Sequence, residues 1–258
     1  MCLLLIAQDQ HPVYRLVLAA NRDEYYDRST KVAAFWEDAP QLLAGRDLKA
    51  GGTWLGITLS GKLAALTNYR NPADAKAHAP SRGNLVCEFL KGTEPARSYL
   101  GNLSGKPDRY NGFNLIAGSV DELFWYSNRG GKISRLSKGL YGLSNHLLDT
   151  PWPKVEKAKD GLKRLLSSGD ELKPEDLLTL LQDRRRPPDK DLPQTGVEIA
   201  WERILAPIFI SSSTYGTRSS TVILVDRKDR VLFTERTFHS GGDDFRDIRY
   251  RFRLYPSS

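Results

Sequence analysis

The chain has 258 residues, 40% of them hydrophobic, and a formal net charge of +7. That length can bury a core without covalent staples and fits one or two domains. Two cysteines far apart, Cys2 and Cys87, argue against a disulfide framework, and the lack of a CxxC, an HExxH or a His pair at helical spacing argues against a metal site.

No stretch approaches the ~20 apolar residues of a membrane span. The apolar N-terminal run is too short for a signal peptide and has no basic region before it, so a reducing, cytoplasmic location is expected. Basic residues are dispersed, apart from Arg184 to Arg186 and the alternating Arg246, Arg249, Arg251 and Arg253. No nucleic-acid motif accompanies them. The positive balance suits an acidic or amphipathic small molecule better than a nucleic acid.

In chain order, Leu3–Ala7 and Val13–Ala20 predict a β-hairpin around a five-residue polar turn, Gln8 to Pro12. A loop centred near Gln10 puts Cys2 opposite roughly Leu18, with Asn21, Arg22 and Asp23 beyond the strand end. Tyr25 to Leu43 reads as irregular. The glycines of Gly51-Gly52-Thr53-Trp54 predict tight backbone approach or positive φ rather than a phosphate loop. Trp54–Leu59 and Lys62–Thr67 form a hairpin around Ser60-Gly61. Ser81 is placed to cap a helix running to Lys91, and a second helix covers Pro95 to Leu103. Phe113–Ala117 with Glu122–Ser127, and Lys132–Leu136 with Leu140–Leu143, predict two more hairpins. Helices follow from Trp152 to Ser167, with apolar residues at 3–4 spacing, and from Pro174. Arg184 to Gly196 is a polar loop and Val197 to Leu205 a short helical or irregular piece. Ile208–Ser211, Thr221–Asp226, Val231–Thr237 and Ile248–Leu254 are the closing strands. Strands in hairpin blocks with helices grouped between them imply α+β architecture with antiparallel sheets, in a single domain over residues 1–258.

The chemistry-bearing groups gather at the start. Cys is small enough at position 2 to permit removal of Met1, which would make Cys2 the terminal residue. An α-amine has a pKa of about 7.7–8.0 and can serve as the base for its own thiol. Arg22 would favour the thiolate and Asp23 the ammonium form. On position alone Cys2 also reads as a small core residue on a buried strand. Asn68, Asn145 and Arg218 stand at the ends of apolar runs, where Asn is usually a turn residue and where sites are also built.

Taken together, Cys2, Asn21-Arg22-Asp23-Glu24, Gly51-Gly52-Thr53-Trp54-Leu55-Gly56 and Tyr215-Gly216-Thr217-Arg218-Ser219-Ser220-Thr221 resemble the NRDE, or transport and Golgi organisation 2, family. The resemblance covers nearly the whole chain. That family is in turn similar to N-terminal nucleophile hydrolases of the bile-salt hydrolase and penicillin V acylase type. The resemblance implies a four-layer αββα sandwich. By motif it makes Cys2 the nucleophile, with Arg22 and Asp23 flanking the thiol and Asn68 in an oxyanion hole. Asn145 would orient the amine, with Arg218 beside it. The implied reaction is hydrolysis of a non-peptide amide bond, with no cofactor required. The alternative is a carrier of haem or of an acyl-CoA or other lipid using the same cleft. Cys2 or His146 would be the ligands to examine for haem.

Overall fold

The structure, a computed structural model, describes residues 2–169, 171–239 and 244–255. Its strands, in chain order, are β1 (Cys2–Gln8), β2 (Tyr14–Tyr25), β3 (Thr30–Trp36), β4 (Ala39–Asp47), β5 (Leu55–Thr58), β6 (Lys62–Asn68), β7 (Phe113–Ser119), β8 (Glu122–Ser127), β9 (Ser134–Leu136), β10 (Gly139–Leu143), β11 (Tyr215–Asp226), β12 (Arg230–Phe238) and β13 (Phe245–Arg253). The helices are α1 (Gly83–Lys91), α2 (Ala96–Ser104), α3 (Pro153–Ser167), α4 (Pro174–Leu181) and α5 (Ile199–Leu205). The strands make two antiparallel sheets, ordered β10-β1-β2-β11-β12-β13 and β3-β4-β5-β6-β7-β8-β9.

The layers follow from the two-residue period of a strand, which sends alternate side chains to opposite faces. Leu4 and Ile6 of β1, with Leu16, Leu18 and Ala20 of β2, meet Leu43, Leu55, Ile57 and Leu63 of the other sheet in a core between the sheets. Their neighbours Leu3, Leu5, Ala7, Val17 and Ala19 face outward, onto Val155, Ala158 and Leu162 of α3 and Leu177, Leu178 and Leu181 of α4. On the opposite side, Leu85, Val86, Phe89 and Leu90 of α1 and Leu100 of α2 cover Ala64, Leu66, Leu115 and Ala117. The order is helix, sheet, sheet, helix. This is the expected αββα sandwich, and it explains why β1 is an unbroken apolar run: both of its faces are covered, so every residue from Cys2 to Gln8 is buried.

Several expectations are corrected. Cys2 pairs with Arg22, not Leu18, which instead lies opposite Ile6. The turn is centred on Pro12 rather than Gln10, because His11 Nδ1 accepts from the N–H of Val13 and of Tyr14 and Asp9 N–H closes onto Arg15 O. The slip is an even number of residues, so no side chain changes face. β2 continues through Asn21 to Tyr25 instead of ending at Ala20. Residues 25–43 are not irregular but hold β3 and most of β4. The hairpin expected from Lys132–Leu136 and Leu140–Leu143 does not form: β9 pairs with β8, whereas β10 crosses to the other sheet and pairs with β1. Ile208–Ser211 is no strand. Phe209 N–H goes to Asp183 O and Ile210 N–H to Thr217 Oγ1, leaving no ladder. Ser81 caps nothing, and Arg82 occupies the position before α1.

Candidate active site

Strand pairing assembles the site. β1 begins at Cys2, directly across from Arg22 on β2. By parity both side chains point to the inter-sheet side, in line with Leu4 and Leu18, at the end of the sandwich. Asp23 points the other way, towards α3. Its Oδ1 accepts 2.7 Å from Thr217 Oγ1, while its backbone carbonyl accepts from Tyr215 OH at 2.9 Å. The backbone N–H of Asp23 donates to the Cys2 sulfur.

A cleft of about 500 Å³ opens over this strand end, with Cys2, Arg22, Asp23, Glu24 and Asn68 among its lining residues. Its far wall is built by Gly52, Thr53 and the start of α1 at Arg82 and Gly83. Gly52 in that wall and Gly51 just before it are there for geometry. Gly51 has φ +74°, and a Cβ on Gly52 would sit 2.7 Å from Gly83 C, so the close approach expected from the sequence is met at Gly52. A depression of about 490 Å³ runs along α3, but neither cysteine nor histidine lines it.

Cys2 is 7% exposed, and burial pushes its thiol up. The Asp23 carboxylate adds to that, whereas the Arg22 guanidinium and the Asp23 N–H favour the thiolate. The carboxyl of Asp23 is also pushed up by burial, against the pull of Lys154, the Thr217 hydroxyl and Arg22. Lys154, wholly buried on α3, is pushed down to about 8 by burial, with Asp23 opposing. Its Nζ donates to Leu205 O at 3.0 Å. Beside it Arg70 donates to Glu202 at 2.6 Å, a pair almost wholly out of solvent. The side of Cys2 that turns away from the cleft is therefore backed by buried charged groups, of which Arg70 and Glu202 form an ion pair.

The remaining expected residues separate. Asn68 lines the cleft, and its carbonyl accepts 2.9 Å from Asn145 Nδ2. Asn145 is buried, ties β6 to β10 through that bond, and accepts the Arg70 N–H at 2.7 Å. Its link to Cys2 runs through Ser144 Oγ, which lies 3.1 Å from Cys2 O and 3.3 Å from Asn145 Oδ1. Arg218 is not beside Asn145. The pairing of β11 with β2 jumps from Thr217↔Asp23 to Ser219↔Arg22, so Arg218 is the extra residue of a bulge. The bulge turns it outward, where Nη1 donates to the carbonyls of Tyr25, Tyr26 and Arg28. Both ring nitrogens of His146 are engaged, with Tyr69 OH at 2.8 Å and Thr150 Oγ1 at 2.9 Å. Met1, whose removal the sequence permits, lies outside the described residues.

Sequence reasoning missed Lys154 and Arg82, though each carried a signal. Lys154 sits four residues before Ala158 on the apolar stripe of α3, a place where a lysine must find a buried partner. Arg82 precedes a helix N-terminus, where a cation opposes the helix dipole and asks for compensation from elsewhere.

Known proteins share the family and the fold. The profile of the transport and Golgi organisation 2 family matches residues 1–240. The mouse Transport and Golgi organization 2 homolog is 40% identical over 257 residues, spanning 92% of this chain and 93% of its own. The human homolog matches at the same identity and coverage, and the Drosophila melanogaster protein is 29% identical over 264 residues. Among solved structures, a C2A mutant of conjugated bile acid hydrolase from Clostridium perfringens superposes with a TM-score of 0.51 at 9% identity, covering 100% of this chain and 99% of its own. At that identity the likeness is one of fold, the N-terminal nucleophile hydrolase sandwich. The chain belongs to the transport and Golgi organisation 2 family.

Proposed function

We propose that the protein hydrolyses a non-peptide amide bond through an S-acyl intermediate on Cys2, after removal of Met1. The observation that carries this reading is the meeting of one thiol with Arg22, the Asp23 N–H and Asn68 at the floor of a ligand-sized cleft. In this reading the freed α-amine of Cys2 takes the thiol proton. The thiolate attacks the substrate carbonyl, and the oxyanion is met by Asn68. Collapse breaks the C–N bond, and the proton held by the α-amine leaves with the amine product. Water then attacks the thioester, the same amine acting as base, and releases the acid with the thiol restored. Arg22 offsets the burial that disfavours the thiolate. Asp23, held by Thr217, keeps its N–H aimed at the sulfur, and Asn145 fixes the strand end that carries Asn68.

The test is turnover of an amide library by protein whose N-terminus is verified as Cys2. Cys2→Ala is expected to abolish turnover with an unchanged circular dichroism spectrum. Asn68→Ala is expected to lower kcat by about 10²–10³, the usual cost of one oxyanion donor. Full activity in Cys2→Ala would refute the mechanism. A carrier of haem or of an acyl-CoA would instead give saturable binding in the same preparation, with no product from any amide.

A further inference from the structure

The charges lining the Cys2 cleft do not cancel evenly, and the residue left over is cationic. Arg28 is committed to Asp47, with Nε and Nη2 at 2.9 and 2.7 Å from Oδ2. The other oxygen of Asp47 accepts the N–H of Lys49 and of Ala50 at 2.8 and 3.1 Å. That carboxylate is therefore saturated and unavailable to the Lys49 side chain. Glu24 lies 3.9 Å from Arg22, Oε2 to Nη2, and its single charge also acts on Arg82 without forming an ion pair with it. Asp23 faces the buried Lys154 instead of the cleft's far wall. Two cations remain. Arg82 spends Nη1 on Gly112 O at 2.8 Å, and Lys49 is exposed at the mouth. Neither forms an ion pair among the described residues, and both line the same cleft as Cys2.

We propose that Arg82 and Lys49 receive an anionic group, a carboxylate or a phosphate, on the molecule whose reacting atom is presented to Cys2. That this molecule reacts at Cys2 rests on the hydrolase reading; the anion site itself does not. A half-buried guanidinium suits an oxyanion in a fixed pose, and a lysine at the rim adds attraction over distance. The placement divides the labour in the cleft: one wall holds charge, the strand end holds the thiol, and the ligand spans the gap. A neutral, wholly apolar ligand would desolvate the part of the Arg82 guanidinium that Gly112 O does not engage, which counts against it.

Alkylation of Cys2 reads this field directly and needs no turnover. In each reaction the thiolate forms a C–S bond and iodide leaves, so iodoacetate and iodoacetamide differ in charge and not in chemistry. Rates are measured at Cys2 by peptide mass, which separates Cys87, and the ratio of iodoacetate to iodoacetamide is normalised to that of the urea-unfolded chain. The folded protein is expected to favour iodoacetate by about tenfold, equal to about 1.4 kcal/mol. Arg82→Gln and Lys49→Gln are each expected to lower that preference several-fold, and 1 M salt to erase most of it. Lys49 is exposed, so its variant stays informative if Arg82→Gln folds poorly. Protection of Cys2 by N-acetylglycine would assign the site to carboxylates, and protection by inorganic phosphate to phosphates. A normalised ratio near one, or a preference unchanged in both variants, would overturn the proposal. An inert protein that still favours iodoacetate would keep the anion site and lose the hydrolase, so the two failures are distinct.

Discussion

Arg22 and Asp23 are neighbours in sequence but serve opposite faces of the same strand. Arg22 shares the inter-sheet face with Cys2, and Asp23 turns to Lys154 and Thr217. The buried ammonium of Lys154, in the field of the Asp23 carboxylate, makes the site sensitive to pH from behind. Lys154 is pushed down to about 8, below its ordinary 10.5. Between those values the unfolded chain holds a proton on residue 154 that the folded chain has released, so stability rises with pH through that window. Below about 8 both states hold the proton and the dependence vanishes. Relative to Lys154→Met, wild-type stability is therefore expected to increase by about 2–3 kcal/mol from pH 8 to 10, each pK unit being worth about 1.36 kcal/mol. Urea unfolding of both proteins at the two pH values checks this. A flat difference would mean that the ammonium is neither buried nor perturbed in solution.

At the scale of elements, β11 shows how one inserted residue redirects a side chain. Without the bulge, the alternation along β11 would bring residue 218 into register against β2, next to the site. With it, Thr217 meets Asp23, Ser219 meets Arg22, and Arg218 leaves to bind three carbonyls of the 25–28 turn. Arg218→Gln is accordingly expected to lower the melting temperature by a few degrees, as a loss of about 1 kcal/mol does in a chain of this size. The alkylation rate of Cys2 should stay within about twofold, far from the tenfold that 1.4 kcal/mol would bring. A large rate change with an unaltered melting temperature would put Arg218 back in the site. The bulge also marks where sequence reading stops. Strands with continuous apolar runs and regular pairing, such as β1, β6 and β7, were legible from their residues. β3 and β4 were not, because their pairing slips between Lys31 and Ala34 and again between Phe35 and Trp36, and β4 carries Pro40 near its start. Both features break the two-residue period on which the reading depends. The two residues between β9 and β10 look like a hairpin turn, yet the link is a corner between sheets. Nothing local distinguishes the two, since the choice is made by which distant strand, β8 or β1, each partner meets.

For the molecule as a whole, the layered architecture followed from the block order of strands and helices. The site followed only in part. Cys2, Arg22, Asp23 and Asn68 line one cleft because β1, β2 and β6 end at the same side of the sandwich. Asn145 supports that end from behind, and Arg218 lines a smaller pocket beside Arg22 rather than the cleft itself. Arg82, from the helical layer on the far side, joined the cleft without being foreseen: its place before a helix N-terminus signals a need for compensation, but local pattern does not say where the chain supplies it. No helix among the described residues is long and apolar enough to cross a membrane. The central claim is that Cys2 acts as a terminal nucleophile in this cleft, and intact mass spectrometry of protein isolated from its own cells tests it most directly. Before and after brief exposure to a limiting thiol probe, the mass is expected to show loss of Met1 and a single label, mapped to Cys2. A chain that retains Met1 would leave the amine of Cys2 in a peptide bond, with no base at the thiol, and would contradict the account.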